Sequence, residues 1–131
     1  MSVELNHTIV GARDKQVSAE FFGTIFGLEV GEPAGPFVPV ATANGVTLDF
    51  ANVPEGAEIA PQHYAFLVSE EEFDAIFGRV QEAGLTYWAD PARRREGEIN
   101  RNDGGRGVYF LDPDGHYLEI ITRPYGSGDP E

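Results

Sequence analysis

Polar and apolar residues alternate over residues 5–10, with Leu5, His7 and Ile9 on one face, and this period of two predicts a strand. From 14 to 26 the period changes. Val17, Phe21 and Ile25, with Phe22 and Phe26 beside them, make an apolar stripe at i, i+4 spacing and predict a helix that Gly27 ends in the left-handed conformation. Residues 28–30, 37–42 and 46–51 read as three short strands, separated by a segment rich in Pro and Gly and by the turn Ala43-Asn44-Gly45. The same order then repeats. A strand at 62–68 leads into a helix opened by the capping-box pair Ser69 and Glu72, with Phe73, Ile76, Phe77 and Val80 as its buried face and Gly84 as its end. Strands follow at 85–89, 107–111 and 117–122, the last two joined by the turn Asp112-Pro113-Asp114-Gly115. Residues 123–131 are rich in Gly and Pro and are expected to fray as a flexible tail. The chain is thus an internal duplication of a βαβββ module, about 3–53 and about 60–123.

Superposing the modules element by element pairs His7 with His63, each near the start of the strand that leads into a helix. Gly45-Val46-Thr47-Leu48-Asp49-Phe50 falls on Gly115-His116-Tyr117-Leu118-Glu119-Ile120, which makes Asp49 the counterpart of Glu119. The chain has no Cys, so a metal site has to be built from His, Asp and Glu. Imidazole nitrogen together with carboxylate oxygen suits Fe, Ni, Co, Mn or Zn. A strand His among apolar neighbours is more often a hydrogen-bonded structural residue; repetition at equivalent positions of a duplicated unit weighs against that reading. Asp49 and Glu119 also interrupt apolar runs, where an unpaired buried charge is costly and a bound cation would offset the cost. The third histidine, His116, adjoins a turn and is expected to cap it or to face solvent.

Length and charge narrow the partners. A chain of 131 residues is long enough for one self-sufficient core and is read as a single domain. No apolar run approaches the ~20 residues a membrane helix needs. Residues 1–11 lack the basic flank and long apolar stretch of a leader, so a soluble cytoplasmic protein without membrane partners is expected. Nine basic against 22 acidic residues give a net charge of −13, which repels a polyanion and argues against nucleic-acid binding. The cations are concentrated in residues 90–107, where Arg93, Arg94, Arg95, Arg101 and Arg106 face four acids. Unpatterned segments of that length are commonly lids or binding loops, whereas three consecutive Arg are more commonly a solvated loop; both readings stand.

The duplicated βαβββ order, the opening Leu5-Asn6-His7, the middle His63-Tyr64-Ala65-Phe66 and above all Tyr109-Phe110-Leu111-Asp112-Pro113-Asp114-Gly115-His116 followed by Glu119 resemble the vicinal oxygen chelate superfamily. That superfamily includes glyoxalase I, extradiol dioxygenases, fosfomycin-resistance transferases and bleomycin-binding proteins, and the resemblance covers residues 3–123. Asn6-His7-Thr8-Ile9-Val10, Gly45-Val46-Thr47-Leu48-Asp49-Phe50 and Thr122-Arg123-Pro124-Tyr125-Gly126 resemble the branch that contains the iron-dependent oxygenase of chartreusin biosynthesis. Carried over residue by residue, the resemblance implies His7, His63 and Glu119 as metal ligands, with Asp49 as a fourth ligand or as a group that orients a metal-bound water or a His ring. Tyr109 matches a Tyr that contacts substrate in fosfomycin transferases. It lies opposite Glu119 and can reach a ligand on the metal if the hairpin loop is the five residues 112–116, and does not if the loop has four; a rim residue is the alternative reading.

The fold expected is α+β: two βαβββ modules whose eight strands form a curved mixed sheet around a metal-containing cavity, with the helices outside. The function expected is a mononuclear Fe(II) oxygenase acting on a phenolic or quinonoid small molecule, with Phe37, Phe50, Trp88 and Tyr109 available to line an aromatic pocket. Ni, Zn, Co or Mn in a glyoxalase-like isomerase or lyase is the alternative, and a metal-independent drug-binding resistance protein is the contrasting class. The chain lacks the basic pattern with which fosfomycin transferases hold a phosphonate and a thiol. Family members with one pair of modules per chain are usually homodimers that build each site from both chains, and that assembly is expected here.

Overall fold

Asp14 opens the first helix by accepting hydrogen bonds from the backbone N–H groups of Gln16 and Val17 at 3.1 and 3.2 Å, and Gly27, at φ 71°, closes it. Ser69 opens the second as expected: its hydroxyl accepts from the N–H of Glu72 at 3.1 Å while the Glu72 carboxylate accepts from the N–H of Ser69 at 2.9 Å. These signals are local, which is why they survive unchanged from sequence to structure. The structure, a computed structural model, describes residues 2–128 and divides into two units, Met1–Ala60 and Pro61–Glu131. Its class is α+β, with two helices and two mixed sheets of three and four strands among the described residues.

The first unit consists of β1 (His7–Ala12), α1 (Lys15–Phe26), β2 (Phe37–Ala41) and β3 (Thr47–Asn52), in the sheet order β1-β3-β2. β1 runs parallel to β3 and β2 antiparallel to it. Val10, Ala12, Val38, Val40, Leu48 and Phe50 fill the face under α1, where Phe22 packs on Phe50 at 5.9 Å between ring centroids. Register places His7, Ile9, Pro39 and Asp49 on the other face.

The second unit has β4 (His63–Leu67), α2 (Glu70–Glu82), β5 (Tyr87–Trp88), β6 (Gly107–Leu111) and β7 (Tyr117–Ile121), in the order β4-β7-β6-β5. Phe77 of α2 meets Tyr87 edge-on at 4.9 Å, so α2 lies on the face that Tyr87 shares with Phe110. Trp88, Tyr109, Glu119 and His63 project from the opposite, helix-free face.

Three expectations are corrected. Residues 28–30 form no strand, and seven strands are present among the described residues where eight were expected. The segment makes one ladder-like bond, from the N–H of Gly31 to the carbonyl of Pro39 at 2.8 Å. Proline has no N–H to return it, so pairing stops there. His116 neither caps the turn nor faces solvent: it is 1% exposed, and its Nδ1 accepts the N–H of Gln62 at 3.0 Å. The turn is closed by Asp112, whose Oδ1 accepts from Asp114 and His116 N–H, each at 2.9 Å. Phe50, offered for an aromatic pocket, is instead core beneath α1.

The arginine-rich stretch is pinned. Buried Asn100 donates to the carbonyl of Ala89 at 2.9 Å and accepts from the N–H of Asn102 at 3.1 Å. A Cβ at Gly107 would stand 2.8 Å from the Asn100 Oδ1, so only glycine fits beside it. Arg106 ties the start of β6 to the first turns of α2, giving hydrogen bonds to Glu70 at 2.8 Å and Asp74 at 2.9 Å and lying 4.3 Å over the Phe73 ring. The Thr122 hydroxyl and then Arg106 hold the Glu70 carboxyl below its ordinary range. Replacing Arg106 by Ala is expected to destabilise the protein by about 1–3 kcal/mol in urea unfolding, since packing over Phe73 is lost with the ion pairs. Lys, without the planar fork, is expected to recover only part of the loss.

Candidate metal centre

Glu119 is fully buried at the centre of the helix-free face of the second sheet. A charge there needs partners, and three side chains supply them. His63 Nε2 lies 2.8 Å from its Oε1. The Tyr125 hydroxyl donates to the carboxylate, 2.9 Å from each oxygen. Tyr109, directly opposite Glu119 on β6, has its hydroxyl 3.2 Å from that of Tyr125. Because the one proton of Tyr125 points at the carboxylate, Tyr109 donates to Tyr125, and the chain of donors runs Tyr109, Tyr125, Glu119. Burial, reinforced by the charge of Glu119, raises both phenols above their ordinary value, well above it for Tyr109. Near neutral pH both are therefore proton-bearing donors.

Leu111 pairs with Tyr117, so the β6–β7 loop is the five residues 112–116, and Tyr109 takes the inward position that such a loop implies. Tyr125 was not found from sequence. Its segment was expected to fray, yet the described part is held: Arg123 donates to the carbonyl of Ser127 at 3.1 Å, the Ser127 hydroxyl donates to that of Pro124 at 2.6 Å, and the Gly128 N–H donates to Asp103 at 3.2 Å. Residues 129–131 of the expected tail lie outside the described residues. Tyr125 belonged to a motif read for resemblance, but no periodicity marks a turn that is folded by contacts with a distant loop.

The first unit carries the counterparts. His7, exposed on edge strand β1, donates through Nδ1 to the side-chain oxygen of Asn6 at 2.7 Å, which leaves Nε2 as the lone-pair nitrogen. Asp49 sits on the same sheet face, half-buried, and its carboxylate has no hydrogen-bond partner among the described residues. His63 and Glu119 are in contact, and no group of three or more His, Asp or Glu side chains among the described residues is arranged to hold a metal.

The donor chemistry fits a divalent metal. Two donors at metal–ligand distances of ~2.1 Å in adjacent positions stand about 3 Å apart, close to the 2.8 Å between His63 Nε2 and Glu119 Oε1. A metal held by both groups would take the place of the hydrogen bond between His63 and Glu119.

Residues 4–120 match the family model for the Glyoxalase/Bleomycin resistance protein/Dioxygenase superfamily, whose members bind divalent metals such as Mn and Fe. Among solved structures, oxidase ChaP-H2 is 65% identical with a TM-score of 0.95, over 98% of this chain and 100% of that one. Oxidase ChaP-H1 is 60% identical with a TM-score of 0.91, over 95% and 99%. A glutathione transferase FosA from Serratia marcescens is 31% identical over 127 residues, covering 92% of this chain and 81% of the relative. No helix among the described residues is long and apolar enough to cross a membrane.

Proposed function

Because the chain belongs to the glyoxalase/bleomycin resistance/dioxygenase superfamily, we propose that it is a cytoplasmic metal-dependent oxygenase, with mononuclear Fe(II), acting on a phenolic or quinonoid aromatic small molecule. The observation that carries the proposal is the buried Glu119 joined to His63 on a helix-free face walled by Tyr109, Trp88 and Tyr117. The two oxidases at 65% and 60% identity favour oxygen chemistry over group transfer.

His63, Glu119 and His7 are the proposed ligands. When bound, the metal supplies Lewis acidity and electron transfer toward dioxygen, which side chains lack. Glu119 and His63 fix two donors in place. Tyr109 and Tyr125, held as neutral phenols, orient the Glu119 carboxylate through the donor chain. Trp88, 7% exposed, closes one side of the face.

A homodimer with shared sites is part of the proposal. Leu5, just before edge strand β1, and Ile9, on it, flank His7 and are 69% and 55% exposed, a surface that a second copy would cover. A second reading, a glyoxalase-like isomerase with Ni, Zn or Co, is favoured by the unpartnered Asp49 if that residue ligates.

The test is oxygen uptake by anaerobically Fe(II)-loaded protein over a panel of catechols, hydroquinones and polycyclic phenols, with ¹⁸O₂ labelling read by mass spectrometry. Uptake is expected only with both Fe(II) and a suitable aromatic. Conversion of a hemithioacetal with Ni or Zn and no oxygen uptake would establish the isomerase instead, and metal-independent binding without turnover a sequestering protein.

A further inference from the structure

Arg93 is held in a conformation that its own chemistry does not favour. Its φ is 59°, and it is one of two non-glycine residues with positive φ among the described residues. The turn that imposes this is built by Asp90, whose carboxylate accepts the backbone N–H of Arg94 at 3.0 Å and of Arg95 at 2.8 Å, while its carbonyl accepts that of Arg93 at 3.2 Å. In consequence the guanidinium lies 5.8 Å from the Trp88 ring and 5.9 Å from the Tyr117 ring. Those rings belong to the helix-free face: Trp88 is paired with Tyr109, the neighbour of Glu119, and Tyr117 with His63. Tyr117 is two residues from Glu119 along β7, a separation of about 7 Å.

Three of the other four arginines of residues 90–107 are paired with carboxylates; Arg101 forms no ion pair among the described residues. Arg94 pairs with Asp90, Arg95 with Glu98, and Arg106 with Glu70 and Asp74. Arg93 has no carboxylate partner among the described residues, although the chain carries a net charge of −13. Strained backbone at a point that places a charge beside a site is where function is to be sought. No side-chain hydrogen bond among the described residues uses its N–H donors, which remain for an acceptor.

We propose that Arg93 is a substrate-anchoring residue, whose guanidinium receives an anionic oxygen, carboxylate or phenolate, carried by an aromatic ring seated along Tyr117 and Trp88. The proposal rests on the aromatic-substrate reading of the same site. It does not depend on turnover, because Trp88 is the single tryptophan of the chain and its fluorescence reports occupancy directly.

The experiment titrates the full chain with 2-naphthoate, a nitrophenol ionised at the assay pH, and neutral 2-naphthol, following Trp88 quenching. Both anions, or one of them, are expected to bind at least about tenfold more tightly than naphthol, with a preference that salt weakens; which anion leads identifies the oxygen. Arg93→Gln is expected to abolish the preference by lowering the affinity for the anions far more than that for naphthol. Arg93→Gly relaxes the turn, so its thermal midpoint is expected to stay or rise while the preference is lost, a pattern that damage to the fold cannot produce. Equal binding of anions and naphthol by the native chain, no quenching by any probe, or an undiminished preference in Arg93→Gln would overturn the assignment. Oxygen uptake that persists beside any of these would leave the oxygenase reading standing; the Arg93-dependent preference without oxygen uptake would do the reverse.

Discussion

Glu119→Gln is expected to lower divalent-metal affinity by at least about a hundredfold, more than the loss of a supporting hydrogen bond around a metal costs. The carboxylate is buried and in contact with His63. The glutamine amide oxygen still accepts from Tyr125, so the metal-free thermal midpoint is expected to move little. Elemental analysis after dialysis against Fe(II), Mn(II) or Zn(II) reads the effect, with about one metal per native chain as the reference. His63→Ala is expected to match it. Asp49→Asn is expected to retain most of the metal, since Asp is one methylene shorter than the Glu at the equivalent position; a loss as deep as that of Glu119→Gln would identify a fourth ligand and favour the isomerase.

Chains carrying His7→Ala and chains carrying Glu119→Gln, each metal-poor alone, are expected to regain metal when refolded together. If each site takes His7 from one copy and His63 with Glu119 from the other, a mixed dimer holds one intact site and one doubly defective site. Random pairing makes half of the dimers mixed, which returns about a quarter of the native metal content. No recovery would mean that each chain supplies its own ligands. Metal content is the readout, so the result does not wait on a substrate being found.

The strands and helices were legible because their signals are short-range. The alternation around His7, the Ser69–Glu72 box and the Gly27 stop act within a few residues, and each appears in the structure. Residues 28–30 looked like a strand because sequence periodicity ignores the partner, and the partner offered a proline at the pairing position. His116 was misread for a related reason: turns are polar on average, but this ring is turned inward onto the backbone at Gln62. Duplication made His63 the counterpart of His7 and Glu119 that of Asp49, and the family resemblance implied that His63 and Glu119 work together; the two are in contact. Tyr125 and Arg93 were not. Each reaches the site from a segment without periodicity, one held against Asp103 and the other bent by Asp90, and such contacts leave no trace in local sequence.

The most direct test of the central claim is a crystal structure of the metal-loaded protein, with anomalous scattering at the absorption edge of the bound metal. The account predicts one peak per chain within about 2.0–2.2 Å of His63 Nε2 and a Glu119 oxygen, with a His7 Nε2 completing the set. A peak bound by other side chains, or none in protein shown to hold metal stoichiometrically in solution, would contradict it.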